Sequence, residues 1–236
     1  GSPVPTGQGE IHALIALPDG TVVSGGSDGT LRRWRGGEGV GGAIRTGQGE
    51  IYALAALADG TVVSGGSDGS LRRWRDGRPL APAWPAGPGA VLALVALPGG
   101  ELVSGGEEGL LRRWRDGKPQ GAPLPSRQGV VTALAALPDG ELVSAGDDGS
   151  LRRWRDGRPT GWPITGGPAA VVALAAGRNG EVAIGDAAGQ LRLHGPERVV
   201  AAACREVAPW LAQGVAGEGE RPGEGEARRI CRRHPP

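Results

Sequence analysis

The sequence predicts an all-β protein: a five-bladed β-propeller of four-stranded antiparallel blades, followed by a short C-terminal helical tail. Three observations predict it. Trp34, Trp74, Trp114 and Trp154 are evenly spaced by forty residues with His194 at the next interval, and Ser24, Ser64, Ser104 and Ser144 keep the same step. A period of this length marks a repeat architecture. Within each period, apolar runs alternate with Asp-Gly or Asn-Gly turns, the pattern of short hairpin-linked strands. Finally, 46 Gly and 20 Pro in 236 residues would signal disorder without a period, but here they fall on it as turns.

In chain order, Ile11 to Leu17 is almost continuously apolar, which predicts a strand covered on both faces. Pro18-Asp19-Gly20 turns it, and the same turn recurs as Ala58-Asp59-Gly60, Pro98-Gly99-Gly100, Pro138-Asp139-Gly140 and Arg178-Asn179-Gly180. Thr21 to Gly25 is the second strand, and Ser27-Asp28-Gly29 leads into the third, Thr30 to Arg35. A weaker fourth strand, roughly Val40 to Arg45, is Gly and Pro rich and suits a sheet edge. One such sheet cannot cover both of its own faces, so the units must stack, and radial stacking gives a propeller. Residues 7–39 and 47–79 differ only as His12/Tyr52, Ile15/Ala55, Pro18/Ala58, Thr30/Ser70, Gly36/Asp76, Glu38/Arg78 and Gly39/Pro79, so the units are copies of one another.

Residues 1–195 are therefore expected to form the propeller. Residues 1–6 align with fourth-strand segments at 121–126 and 161–165, and Pro3 to Thr6 is expected to complete the last blade, residues 171–194, which lacks its own fourth strand. Closure by five units in one chain, and hence a monomer, is the expectation; assembly of two chains into a larger ring is the alternative. Residues 196–236 form a C-terminal extension. Val199, Val200, Ala203, Cys204, Val207, Trp210 and Leu211 predict an amphipathic helix, and 214–226 an acidic flexible loop. Cys204 and Cys231 either pair or remain free thiols. Without an initiator Met the sequence reads as a processed chain or a fragment.

The chemistry is sparse. Balanced charge, 26 basic against 25 acidic residues, argues against a polyanion binder, and no nucleic acid, membrane or cofactor partner is expected. His12, His194 and His234 lack metal-pair spacing, and the repeated Ser residues lie outside any nucleophile elbow. Gly37 to Gly42 matches a dinucleotide fingerprint, but no helix follows it. No catalytic residue and no metal site are predicted. The basic residues are nearly all Arg, and "RRWR" occurs four times. Asp28, Asp68, Glu108 and Asp148 recur in register and are the expected partners of those guanidinium groups; an Arg-lined surface for carboxylates or phosphates is the functional alternative. Trp34, Trp74, Trp114 and Trp154 read as core, whereas Trp84 and Trp162 lie in fourth strands nearer the outer edge.

The unit "ALIALPDGTVVSGGSDGTLRRWR" resembles the WD40 repeat family in its strand, turn, strand, Asp-Gly turn and terminal Trp, over roughly residues 3–195. Arg35, Arg75, Arg115 and Arg155 stand where the family usually has Asp, and Thr6-Gly7 and Thr46-Gly47 replace its Gly-His pair. The family's buried polar network would then survive in part, as Asp28, Ser24 and Trp34, with Asp68 and Asp148 in the copies. The resemblance implies a non-catalytic scaffold for a protein or peptide partner. It places the partner-binding rim at Glu10, His12 and Ser27, at Glu50, Tyr52 and Ser67, at Leu92 and Glu107, and at Thr132 and Asp147, with the central mouth as a second site. The setting expected is a larger bacterial, cytoplasmic signalling or sensor protein. The rival from another class is a multivalent lectin-like or anion-binding protein with equivalent sites between blades.

Overall fold

The structure, a computed structural model, describes residues 3–195; the tail helix, the acidic loop, Cys204, Cys231 and His234 lie outside the described residues. Blade 1 contains β1 (Ile11–Ala16), β2 (Val22–Gly26), β3 (Thr30–Arg35), β4 (Glu38–Gly39) and β5 (Ile44–Arg45). Blade 2 contains β6 (Ile51–Ala56), β7 (Val62–Gly66), β8 (Ser70–Arg75), β9 (Arg78–Pro79) and β10 (Trp84–Pro85). Blade 3 repeats this with β11 (Val91–Ala96), β12 (Leu102–Gly106), β13 (Leu110–Arg115), β14 (Lys118–Pro119) and β15 (Leu124–Pro125). Blade 4 has β16 (Val131–Ala136), β17 (Leu142–Gly146), β18 (Ser150–Arg155) and an unbroken β19 (Arg158–Thr165). Blade 5 has β20 (Val171–Ala176), β21 (Val182–Asp186) and β22 (Leu191–His194).

The fold is thus the five-bladed, antiparallel propeller that the repeat predicts. The fourth strand differs in detail: in blades 1 to 3 it is two short pieces on one edge of the third strand, as with Trp34 opposite Gly39 and Leu31 opposite Ile44. The hairpins close as the turn residues dictate: Gly20 has φ 81°, and Leu17 N–H donates to Thr21 O at 2.7 Å.

Each blade plugs into its predecessor. A side chain on Gly25 would lie 2.5 Å from Ile51, one on Gly65 2.7 Å from Val91, and one on Gly105 2.6 Å from Val131. The repeated Ser-Gly-Gly is therefore a seat for the first residue of the following blade. Four apolar clusters result, one per junction, such as Val23, Leu31, Ile51, Leu54 and Trp74 between blades 1 and 2. Each fully buried Leu or Val adds roughly 1.5–3 kcal/mol.

The closing strand expected from the sequence is not formed. Pro3 to Thr6 carries no strand, and the last sheet has three strands, β20-β21-β22. At the inner junctions the chain enters a new blade by bonding back to the old one, as Thr46 N–H does to Gly29 O at 3.2 Å and Ala86 N–H to Gly69 O at 2.8 Å. No described cluster joins blade 5 to blade 1. Apolar side chains on both end blades are accordingly uncovered: Leu14 is 64% and Leu191 73% exposed.

Candidate partner-binding site

The polar wiring of the blades explains which side chains are free for recognition. In blades 1 to 4 the Trp indole N–H donates to the repeated Ser hydroxyl, Trp34 to Ser24 and Trp74 to Ser64 at 2.8 Å, Trp114 to Ser104 at 2.9 Å and Trp154 to Ser144 at 2.8 Å. Ser24 and Ser144 in turn donate to Gln8 and Gln128 at 2.5 Å, and Ser64 donates to Gln48. Each Gln amide reaches on to the third strand, Gln48 Nε2 to Ser70 O at 2.9 Å. These three Gln side chains are wholly buried and were missed in the sequence reading, although Gln8, Gln48 and Gln128 share the repeat spacing. Pro88 and Pro168 break the set in blades 3 and 5.

Two expectations about Asp are corrected. Asp28, Asp68 and Asp148 do not hold the Arg side chains; they accept the backbone N–H of Thr30, Ser70 and Ser150 at 2.8–2.9 Å and shape the turn. Only Glu108 pairs as expected, with Arg112. Five other guanidinium groups use carboxylates at the opposite end of the blade, whereas Arg72 donates to Thr46 O at 2.7 Å. Arg35 and Arg75 pair with Asp19 and Asp59, and Arg155 with Asp139 at 2.8 Å. Arg113 and Arg153 reach Glu101 and Glu141 at 2.5 Å. The Thr21 and Thr61 backbone N–H groups first, and the Arg partners after, hold the Asp19 and Asp59 carboxyls below their ordinary value.

On the rim, the predicted residues divide into two groups. Ser27 and Ser67 accept Glu10 N–H and Glu50 N–H at 3.1 Å, Glu107 accepts Ala90 N–H at 2.9 Å, and Asp147 accepts Val130 N–H at 3.0 Å. These four brace the entry loop of each blade. Thr132 donates to Val171 O and ties blade 4 to blade 5, and Leu92 is half-buried. The second group converges. The His12 and Tyr52 rings lie 5.0 Å apart across the junction of blades 1 and 2. Tyr52 donates to Glu50 Oε2 at 3.0 Å, and His12 Nε2 lies 3.3 Å from the same oxygen. That hydrogen bond to Glu50 raises the Tyr52 hydroxyl above its ordinary value. Glu10, two residues before His12, is exposed. The later blades have Ala90, Val130 and Ala170 where blades 1 and 2 have Glu10 and Glu50, so the cluster exists once.

The opposite face carries cavities. A funnel of about 680 Å³ collects the inner-strand ends of all five blades, among them Ile15, Leu57, Leu97, Leu137 and Ala176. Beside it, clefts of about 340 and 290 Å³ open between blades 1 and 2 and between blades 3 and 4. Among the described residues no group of three His, Cys, Asp or Glu could hold a metal ion, and no helix is long and apolar enough to cross a membrane.

Copied hairpin sheets bearing a Trp-Ser bond and an Asp-Gly turn define a repeat propeller. Comparison agrees in part of the chain: residues 1–35, 41–75 and 121–155 match the model of the WD domain, G-beta repeat, so these segments are similar to WD40 repeats, here set in a five-bladed β-propeller. Among solved structures it is similar to the WD40 beta propeller domain of Doa1, with 20% identity, a TM-score of 0.71, and coverage of 81% of this chain and 66% of that one. It is similar also to U3-55K, with 21% identity, a TM-score of 0.72 and coverage of 81% and 63%. The chain thus spans about two thirds of the length of these neighbours. No curated protein sequence matches it. WD40 propellers generally serve as protein-interaction scaffolds.

Proposed function

We propose that this propeller is a non-catalytic scaffold that binds one protein or peptide partner on the rim of blades 1 and 2, through Glu10, His12, Glu50 and Tyr52. The observation that carries the reading is the convergence of His12, Glu50 and Tyr52 at a place where near-identical copies differ: His12 and Tyr52 are one of only seven differences between the first two units. An aromatic pair next to carboxylates on a rigid sheet edge offers apolar area and directional acceptors at low ordering cost. The partner face we infer is accordingly basic and contains an apolar or cationic side chain for the rings. The setting we infer is a bacterial, cytoplasmic signalling or sensor protein, supported by the Gly-, Ala- and Arg-rich composition. Replacing His12 and Tyr52 together by Ala should abolish capture of a specific partner by the immobilised chain while leaving the melting temperature in place. Identical capture by wild type and variant removes the assignment. Equal sites in every junction, the rival arrangement, are disfavoured by clefts that differ in what fills them.

A further inference from the structure

We propose that the cleft between blades 1 and 2, on the face opposite the His12 rim, binds a carboxylate carried on a compact apolar body. Four junctions are built from the same repeat; at those of blades 1 and 2 and of blades 3 and 4 an Arg from the third strand, Arg33 or Arg113, lines a cleft with the Trp of the blade that follows, Trp74 or Trp154. What surrounds that Arg differs. In blades 3 and 4 a buried Glu stands on the neighbouring strand: Glu101 takes Arg113 with bonds of 2.5 and 3.0 Å, and Glu141 takes Arg153 at 2.5 Å. Blade 2 has Thr61 there, and its Arg73 lies 5.9 Å over the ring of Trp84, which also packs edge-on against Trp114 at 6.4 Å and fills that junction. Blade 1 has neither device. Thr21 replaces the Glu, and Ile44 stands where Trp84 would be. Among the described residues the ion pair of Arg33 is then with Asp76, 3.7 Å away and 81% exposed, beside a cavity of about 340 Å³.

The lining states the ligand. Leu17, Leu31, Ile44 and Trp74 supply apolar walls, and Arg33 offers a planar pair of donors at one side. Asp19 and Asp59 at the mouth are occupied by their own turns and by Arg35 and Arg75, but their charge remains. With Asp76 they disfavour a dianion such as phosphate and tolerate a single carboxylate that displaces Asp76 from Arg33. The volume accommodates a phenyl or short alkyl group next to the carboxylate.

The molecule supplies its own controls. Thr21→Glu copies the neutralised cleft of blades 3 and 4, and Ile44→Trp copies the plug of blade 2, so both changes are already tolerated by this fold. Titration of the full chain with 3-phenylpropionate, followed through the Trp74 indole N–H resonance, should saturate with a dissociation constant on the order of 1 mM. Each variant should weaken binding at least tenfold at unchanged melting temperature, and Asp76→Asn should tighten it about threefold. An N-acetyl peptide ending in Leu, run in parallel, separates a free acid from a chain terminus as the source of the carboxylate: tighter binding of either probe identifies it. Absence of a Trp74 shift with both probes at 10 mM, or equal binding by wild type, Thr21→Glu and Ile44→Trp, overturns the proposal.

Discussion

Leu71 and Leu191 occupy the same position in the repeat, yet one is fully buried and the other is 73% exposed. Leu31, Leu111 and Leu151 side with Leu71, each against the first strand of the next blade. The leading face shows the same contrast in reverse: Leu54 and Leu94 are buried against the preceding blade, and Leu14 is exposed. At Gly185 the seat that Ile51 fills on Gly25 has only Ala173 of its own blade nearby, at 3.6 Å. Identical residues thus have opposite environments because burial in this fold is a property of junctions, and a blade at either end has one junction instead of two.

The sharpest way to break this comparison is to delete equivalent Trp side chains. Trp74→Ala should cost about 3–5 kcal/mol, because it empties the junction of blades 1 and 2 and leaves the Ser64 hydroxyl without its indole donor. Trp34→Ala should cost clearly less, since Trp34 is half-buried on the leading face of blade 1. Denaturant titration of both variants reads the difference; equal losses would mean that a hidden neighbour covers blade 1. A second pair isolates the apolar contribution alone. Leu71→Ala should destabilise by about 2–5 kcal/mol and Leu191→Ala by less than about 0.5 kcal/mol.

The polar wiring sharpens the comparison by a smaller amount. Gln48→Ala removes a buried side chain that accepts from Ser64 and donates to Ser70, and should cost about 1–3 kcal/mol in the same titration. Blade 3 has Pro88 in place of this Gln, so its Trp114–Ser104 bond stands without that support. Indole exchange should accordingly be faster at Trp114 than at Trp74, measured on the wild-type chain.

Strand order, hairpin turns and the Trp core were legible in the sequence because each depends on contacts within one unit: Asp-Gly fixes a turn locally, and strand register follows from the turn. The rim cluster was legible in part, since His12 and Tyr52 stand out among copies, but whether their rings meet depends on how two blades pack. The Arg partners were misassigned for the same reason. Asp28 is nearest Arg32 along the chain, whereas its carboxylate is taken by Thr30 N–H in the folded turn, and the carboxylates that hold Arg35, Arg75, Arg113, Arg153 and Arg155 come from the far hairpin. The missing fourth strand of the last blade was legible, but that residues 1–6 leave it open was not, because Leu31 and Leu191 are the same letter.

The smallest effect tests blade 5 by pH. Asp186 is buried at the end of β21 and accepts Gln190 N–H at 2.9 Å, Ala188 N–H at 3.1 Å and Arg192 Nη1 at 2.5 Å. The Gln190 amide foremost, with Arg192 adding to it and burial working against both, holds this carboxyl below its ordinary value. A depressed folded value means that the ionised form favours the folded blade. Its stabilisation is complete above the ordinary carboxylate range and disappears as pH falls from there through the lowered value. Blade 5 has only one packed junction to resist that loss, whereas the inner blades have two. Pepsin between pH 4 and pH 2 should therefore cut first near Leu191 and Leu193, and Asp186→Asn should show that early cutting already at pH 4. First cutting within β6 to β8 instead would place the weakest part of the molecule at an inner junction and reverse the ranking of blades drawn from Leu71 and Leu191.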